Sequence, residues 1–216
     1  MGNAHMYPLL RTTDLGEAFD LAVQLVALAT RVQEVSVSAM TAPEGLARYL
    51  PLPELAGRPL HTSLRIPPQQ AQSTSRLLEH LPSDRFSWSS TGSGWVWDLT
   101  PAEAKLIDLI PDLVIDLDLD LDKVVPGRVE EQFIASAGSD IGELSWSVIW
   151  PESAREDLWS IPKYDGVELV IHETGLFSEK WSDTHSVWVC GRSETRAEWA
   201  AQATGRTVVG AMELGR

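Results

Sequence analysis

The most constraining stretch of the chain is a strict alternation of apolar and acidic residues from Ile115 to Asp122. Its period of two is that of a β-strand, in which successive side chains point to opposite faces, and it differs from the period of a helix. One face would bury the side chains of Ile115, Leu117, Leu119 and Leu121. The other face would carry the carboxylates of Asp116, Asp118, Asp120 and Asp122, which we call the acidic ladder. We therefore expect a strand with one buried and one solvated face.

The acidic ladder needs a compensating charge. Same-face side chains of a strand lie only about 7 Å apart, so a row of carboxylates is self-repelling. Basic side chains of a neighbouring strand, a basic partner or a hard cation would offset this repulsion. An EF-hand is excluded, because that loop requires a glycine at its sixth position and a glutamate at its end. Three interpretations remain open: a solvated face, a docking surface for a basic protein and a cation site.

The overall charge favours a basic protein as the partner. The 216 residues include 31 acidic and 17 basic side chains, which gives a formal charge of −14. Nucleic-acid binding is not expected, because it requires a basic surface that neutralises phosphates. The alternative is that the acidity only keeps the protein in solution. The sequence does not indicate an oligomeric state.

Cysteine usage and hydropathy indicate a cytoplasmic protein that does not bind membranes. Cys190 is the only cysteine, so an internal disulfide and a cysteine-rich zinc site are excluded. No apolar run approaches the roughly 20 residues that span a bilayer. The start of the chain lacks the charged and apolar regions of a secretory signal. Residues 1–6 have the character of a cloning remnant, and we assign them to no element.

Periodicity and capping residues predict the elements of the first half. A helix capped by Asp14 runs to about Arg31, a strand covers residues 34–40 and a short helix residues 43–50. A strand-helix-strand-strand-helix-strand series follows, at residues 60–66, 67–81, 86–88, 95–97, 100–110 and 115–122. The glycine-containing turn at residues 91–94 is typical of a hairpin and lacks the helix and lysine of a phosphate loop.

The second half repeats this order of elements, at residues 144–150, 151–159, 167–172, 186–190, 193–203 and 207–214. We therefore predict an α+β protein of two tandem β-α-β-β-α-β halves, the ferredoxin-like order, with an N-terminal helix-strand extension. The domains would be residues 7–125, which include the acidic strand, and residues 126–216. The alternative is that the halves merge into one continuous mixed sheet.

A second group of polar residues lies at the two ends of the predicted hairpin loop between residues 172 and 185. The group consists of His172, Glu173, Asp183 and His185. Closure of the hairpin would bring the two imidazoles together, and imidazoles with a carboxylate suit a divalent metal. No compact metal motif supports this interpretation, and a solvent-facing polar loop is the alternative.

Other reactive or aromatic residues carry weaker signals. Cys190 is expected to be a buried strand residue, although a nucleophile activated by the helix start at Ser193 is an alternative. The sequence contains no G-x-S-x-G elbow, so a serine hydrolase is not expected. Nine tryptophans are present. The pairs Trp95–Trp97 and Trp146–Trp150 would each share a strand face, as core or as interface anchors.

These observations favour a non-enzymatic function without a cofactor. We expect an acidic binding module that neutralises or regulates a basic protein, in the manner of an immunity protein or an antitoxin. Its contact residues would be the acidic ladder together with Trp95 and Trp97. The alternative is an enzyme or a small-ligand or metal binder that uses His172, Glu173, Asp183 and His185 and a cleft between the halves.

Overall fold

The computed structural model describes residues 4–57, 60–66, 84, 86–88, 94–97, 114–122, 127–151, 164–173, 175–176 and 178–215. These residues form a mixed α+β protein in which antiparallel strands predominate and helices are few. The strands are β1 (His5–Thr12), β2 (Arg31–Thr41), β3 (His61–Ile66), β4 (Phe86–Trp88), β5 (Gly94–Trp97), β6 (Val114–Asp122), β7 (Ile141–Ile149), β8 (Gly166–Ile171), β9 (His185–Gly191) and β10 (Glu213–Leu214). The helices are α1 (Leu15–Ala27), α2 (Leu52–Ala56), α3 (Arg128–Ala137) and α4 (Glu194–Ala203), with a 3-10 helix at Pro43–Arg48.

The chain forms two compact units. The first unit comprises Met1–Val37, Asp120–Gly127 and Ser139–Arg216, and the second comprises Ser38–Leu119 and Arg128–Gly138. Strands β2 and β6 therefore each contribute residues to both units. The division of the chain into residues 7–125 and 126–216 stays a prediction.

The first unit is organised around two fully buried strands. Its strands run in the order β10-β1-β9-β8-β7-β2. Every residue of β8 and β9 is buried, which explains their nearly continuous apolar sequences. Helix α1 contacts β8 and β9, and α4 contacts β9 and β1. Helix α1 begins where the Asp14 carboxylate accepts hydrogen bonds from the backbone N–H groups of Gly16 and Glu17, at 2.9 and 3.1 Å.

The second unit contains strands in the order β6-β3-β5-β4, and each of these three pairings is antiparallel. Alternate residues of β3 and β6 are buried, among them Leu64 and Ile115, so that one face of this strand pair belongs to a core. Helix α2 contacts α3. The rings of Tyr49 and Phe133 lie 6.1 Å apart in the same unit and join the 3-10 helix region to α3.

Strand β1 corrects the interpretation of the N-terminal residues as a remnant outside the fold. His5 to Thr12 pair antiparallel with β9, and Met6 and Leu9 are buried. The sequence did not predict β1 because Pro8 interrupts its short apolar run, and proline is unusual inside a strand. The pairing register shifts between Pro8 and Leu10, which is the kind of irregularity at which a strand tolerates proline.

Several further elements differ from the predicted ones. Helix α1 ends at Ala27 and β2 begins at Arg31, so the helix is shorter and the strand longer than predicted, and α2 lies in a stretch for which no element was predicted. Helix α3 was not predicted, although Val129, Phe133 and Ala137 recur at helical spacing and are buried. Of the predicted closing strand at residues 207–214, only Glu213 and Leu214 pair, with His5 and Met6 of β1. The helices predicted at residues 67–81 and 100–110 lie outside the described residues, as do residues 152–159 of the helix predicted at 151–159.

The ferredoxin-like order is not confirmed for the second half of the chain. In that order, strands joined by a crossover helix have another strand between them. Strand β8 instead lies directly between β7 and β9, and β10 pairs with β1. The reason is that β1 occupies the position next to β9, which a strand of the second half would otherwise take.

Candidate functional site

The acidic ladder lies on an extended strand, as the alternation of residues predicted. Ile115, Leu117 and Leu119 of β6 are buried, with exposed fractions of 0%, 2% and 0%. Asp118 is exposed to solvent and pairs in register with His61 of β3. Asp120 and Asp122 belong to the same strand by their backbone, but their side chains lie outside the described part of the structure.

The ladder is not uniform, because Asp116 lies next to a basic side chain of the same molecule. Its carboxylate lies 3.6 Å from a guanidinium nitrogen of Arg65, and only 18% of the Asp116 side chain is exposed. Arg65 and Asp116 are diagonal neighbours on the antiparallel pair β3–β6. Part of the negative charge of the ladder is therefore offset internally at Asp116.

The strand register also relates the predicted tryptophan pair to the ladder. Trp97 of β5 is opposite Ser63 of β3, and Ser63 is opposite Asp116 of β6. Trp95 is opposite Arg65. The backbone positions 97, 63 and 116 thus form one row across three strands. The side chains of Trp95 and Trp97 lie outside the described part, so their role as contact residues stays a prediction.

The hairpin between β8 and β9 brings the two predicted histidines into direct contact. The ring centroids of His172 and His185 lie 4.5 Å apart in an edge-to-face arrangement. The backbone N–H of His172 donates to Nδ1 of His185 at 3.3 Å, so this nitrogen must be unprotonated. Nδ1 of His172 lies 3.0 Å from the carbonyl oxygen of Ser182 and is therefore the protonated nitrogen of that ring.

The surroundings of His185 lower the pKa of its imidazole. The side chain is buried at the start of β9. Burial lowers the pKa of His185, and the neighbouring His172 lowers it further, while the carboxylates of Asp14 and Asp183 act in the opposite direction. The neutral imidazole that accepts the hydrogen bond from His172 is thus the form that the fold favours.

The two carboxylates predicted for the site, Glu173 and Asp183, have different roles. Glu173 is buried, and its Oε1 accepts a hydrogen bond from the backbone N–H of Glu179 at 2.6 Å. Glu179 has a positive φ of 50°, so Glu173 holds a turn in a conformation that non-glycine residues adopt rarely. Asp183 is exposed. In the residues that the structure describes, no group of three or more His, Cys, Asp or Glu side chains is arranged to hold a metal ion.

Trp181 is an exposed residue beside the hairpin histidines that was not among the predicted site residues. Its side chain is 60% exposed, the largest fraction among the large apolar residues described. The indole stacks on the His172 ring with centroids 5.6 Å apart and planes 12° apart. Its Nε1–H donates to the carbonyl oxygen of Ser139 at 2.9 Å. A signal was present in the sequence, because Trp181 stands among the charged and hydroxyl residues of a loop.

Three further tryptophans of the second half, Trp146, Trp150 and Trp188, belong to the core together with Cys190. Trp146 and Trp150 are buried, so this pair packs inside the protein and is not an exposed interface pair. Cys190 packs in a cluster with Met6, Val170 and Trp188. Burial raises the pKa of the Cys190 thiol well above its usual value, and the carboxylates of Glu168, Glu143 and Asp165 raise it further. Such a thiol is the opposite of an activated nucleophile.

Comparison with known proteins identified no relative: no protein-family model, no curated protein and no solved structure matches the chain. Within the described residues, no helix combines the length and the apolar composition that crossing a membrane requires. The functional interpretation therefore rests on the chemistry of the two surfaces described above.

Proposed function

We propose that the protein is an acidic, non-enzymatic module that binds and neutralises or regulates a basic partner protein, as immunity proteins and antitoxins do. The observation that carries this proposal is the strand β6, which buries Leu117 and Leu119 while it exposes Asp118 to solvent. A strand that alternates in this way presents its acidic residues together. The formal charge of −14 gives the whole chain the same sign.

Electrostatics explains what such a surface contributes to binding. Clustered carboxylates accelerate the encounter with a positively charged protein and pair with its arginine and lysine side chains. Charge complementarity of this kind mainly sets the association rate and the choice of partner. Arg65 shows that a guanidinium group fits beside this strand, because its own guanidinium lies 3.6 Å from Asp116. A cytoplasmic location suits a chain with one reduced cysteine, Cys190.

The strand order of the second unit supports a ferredoxin-like fold for the first half. Strand β5 lies between β3 and β4, and β3 lies between β5 and β6. Each pair of strands that a predicted helix connects is thus separated by one strand, as in split β-α-β units. We infer that β3 to β6 form one ferredoxin-like half with the acidic strand at one side of β3.

The test is a charge-neutral variant of the ladder with a matched control. Asp116, Asp118, Asp120 and Asp122 are all changed to Asn, which brings the formal charge from −14 to about −10. The control removes four exposed carboxylates elsewhere through Asp20→Asn, Glu54→Gln, Glu131→Gln and Glu198→Gln. Both variants have the same net charge. A difference in affinity between them therefore depends on where the carboxylates lie and not on the overall charge of the protein.

The measurement is quantitative capture of partners from the native cell, followed by affinity measurement on the captured protein at several salt concentrations. We expect the ladder variant to bind more weakly, with a flatter dependence on salt, and the control to retain most of the affinity. Equal affinities of the wild type and the ladder variant would refute the proposal.

The alternative function is binding of a metal or a small ligand at the hairpin. It is favoured by the direct contact between His172 and His185, whose ring centroids lie 4.5 Å apart. Purified protein would be titrated with Zn2+, with His172→Ala and His185→Ala as controls. Stoichiometric metal binding that both substitutions abolish would favour this alternative. Binding that survives both substitutions, or no binding, would exclude a zinc site at these histidines.

A further inference from the structure

Trp181 and its loop form a second surface with a defined chemistry. We propose that the outer face of the Trp181 indole receives an arginine side chain of a basic protein, with Asp183 supplying the opposite charge. The inference deepens the proposed function and rests on it for the class of partner. The surface itself is distinct from the acidic ladder, because it is built by the β8–β9 hairpin of the first unit.

The indole is held in position before any ligand arrives. Its inner face stacks on His172 at 5.6 Å, and its Nε1–H bonds to the carbonyl oxygen of Ser139 at 2.9 Å. The backbone of Trp181 also forms a β-bridge with Glu173. With 60% of the side chain exposed despite these contacts, the outer face of the ring is the open one. A fixed aromatic surface loses little conformational freedom on binding, which is the property of interface anchors.

The platform beneath Trp181 is itself fixed by the hairpin. His172 has a positive φ of 55°, which is rare for a residue with a Cβ atom. Its ring is held through Nδ1 by the Ser182 carbonyl, and its backbone N–H is held by His185. A conformation that is strained and yet held by several bonds is a feature that often marks functional sites.

The charged residues that flank Trp181 in the loop favour a cationic ligand. Asp183 is exposed two residues after Trp181, and Glu179 is exposed two residues before it. Lys180 is also exposed, so the three charged side chains sum to one negative charge. An aromatic face attracts a cation through its quadrupole, and a planar guanidinium stacks on the ring while it donates to a carboxylate. Arginine therefore fits this surface better than lysine, and the net negative charge disfavours an anionic ligand.

The probe for this surface is an end-blocked peptide with one arginine between two pairs of glycines. Matched peptides carry lysine or the neutral arginine analogue citrulline at the central position. The readout is the NMR resonance of the Trp181 Nε1–H, which is assigned by its absence in the Trp181→Phe variant. We expect a saturable shift with the arginine peptide at millimolar concentrations, a smaller shift with the lysine peptide and no saturable shift with citrulline.

Substitutions of the neighbouring charges test the electrostatic part. Asp183→Asn should weaken binding of the arginine peptide by about two- to five-fold, whereas Lys180→Gln should strengthen it. Asp20→Asn, which removes an exposed carboxylate elsewhere, should leave the affinity unchanged. A Trp181 resonance that does not respond to arginine, or that responds equally to citrulline, would overturn the inference.

Measurements on the ladder variant distinguish a failure of this inference from a failure of the proposed function. The four Asn substitutions in β6 should leave the Trp181 titration unchanged. If the ladder variant no longer binds the partner and the Trp181 resonance does not shift with the arginine peptide, the proposed function is supported and the inference is wrong. If the resonance shifts with the arginine peptide and the ladder variant still binds the partner, the acidic ladder is not the docking surface and the Trp181 site is supported.

Discussion

His185 connects the chemistry of the hairpin to the stability of the first unit. It is buried, it accepts the backbone N–H of His172, and its ring contacts the ring on which Trp181 stacks. Protonation of His185 would convert Nδ1 from an acceptor into a donor and would place a buried charge beside the backbone N–H of His172. Asp14 and Asp183 are the carboxylates that act on this group, and they compensate only part of the cost of burial.

The expected consequence is a loss of stability in mild acid. Because the pKa of His185 is lowered in the folded protein, the unfolded chain binds more protons once the pH falls below the usual histidine value of about 6.5. The contribution of His185 to the free energy of unfolding is therefore complete above about pH 6.5 and is lost as the pH falls toward and through the lower pKa of the folded state. Urea unfolding between about pH 7.5 and 5.5 should show a larger loss for the wild type than for His185→Gln. Parallel curves for the two proteins would contradict this assignment.

Strand β6 shows how one element combines a structural and a functional face. Its buried residues Ile115, Leu117 and Leu119 are at most 2% exposed, whereas Asp118 between them is exposed. The pairing with β3 places Thr62 opposite Leu117 and His61 opposite Asp118. A shift of the register by one residue would bury the carboxylates, so burial of the apolar face fixes which residues reach solvent.

Two neighbouring substitutions in β6 should therefore have very different effects. Leu117→Ala should lower the free energy of unfolding by about 2–5 kcal/mol, because it removes buried apolar surface and leaves a cavity. Asp118→Asn should change it by less than about 0.5 kcal/mol. Urea denaturation followed by circular dichroism measures both. A large destabilisation by Asp118→Asn would show that this carboxylate serves the fold and not a partner.

The close approach of strands β7 and β8 requires a glycine at position 166. A Cβ atom at Gly166 would lie 2.8 Å from the backbone carbonyl oxygen of Trp146, a contact that requires the strands to move apart. Gly166→Ala should destabilise the protein by about 1–3 kcal/mol. Gly175→Ala is the matched control, since among the described residues its Cβ atom would meet the Glu213 carboxylate at an ordinary contact distance of 3.9 Å. Equal thermal midpoints of the two variants would contradict the close approach of these strands.

The molecule as a whole carries a large charge of one sign. Ion pairs such as Arg11–Glu213 and Arg206–Glu17 join distant parts of the sequence, at 3.6 and 3.1 Å, but they involve half-exposed side chains and contribute little each. The excess of 14 negative charges remains. Repulsion within a charged compact state lowers its stability, and salt screens that repulsion.

Added salt should therefore stabilise the folded protein at neutral pH. We expect the thermal midpoint to rise between about 10 and 150 mM NaCl, over which the screening length falls from about 30 to 8 Å. The variant with Asp20→Asn, Glu54→Gln, Glu131→Gln and Glu198→Gln should show a smaller rise, because it carries four fewer negative charges. A midpoint that falls with salt would mean that favourable ion pairs outweigh the repulsion.

Local patterns in the sequence were sufficient to identify several elements. The alternation of residues 115–122 predicted β6, Asp14 marked the start of α1, and residues 193–203 predicted α4. The signals for β6 and α1 arise from neighbours in the chain: the period of two of a strand, and a capping side chain that reaches backbone N–H groups two and three residues away. The proximity of His172 and His185 also followed from local closure of a hairpin.

Only the tertiary structure decided how the strands are arranged and which aromatic residue remains at the surface. Strand β1 lies between β9 and β10, from the opposite end of the chain, and this placement displaced the ferredoxin-like order of the second half. Trp181 is exposed whereas Trp188, seven positions later, is fully buried. Strand order and burial depend on packing between residues that are remote in sequence, and no periodicity along the chain records those contacts.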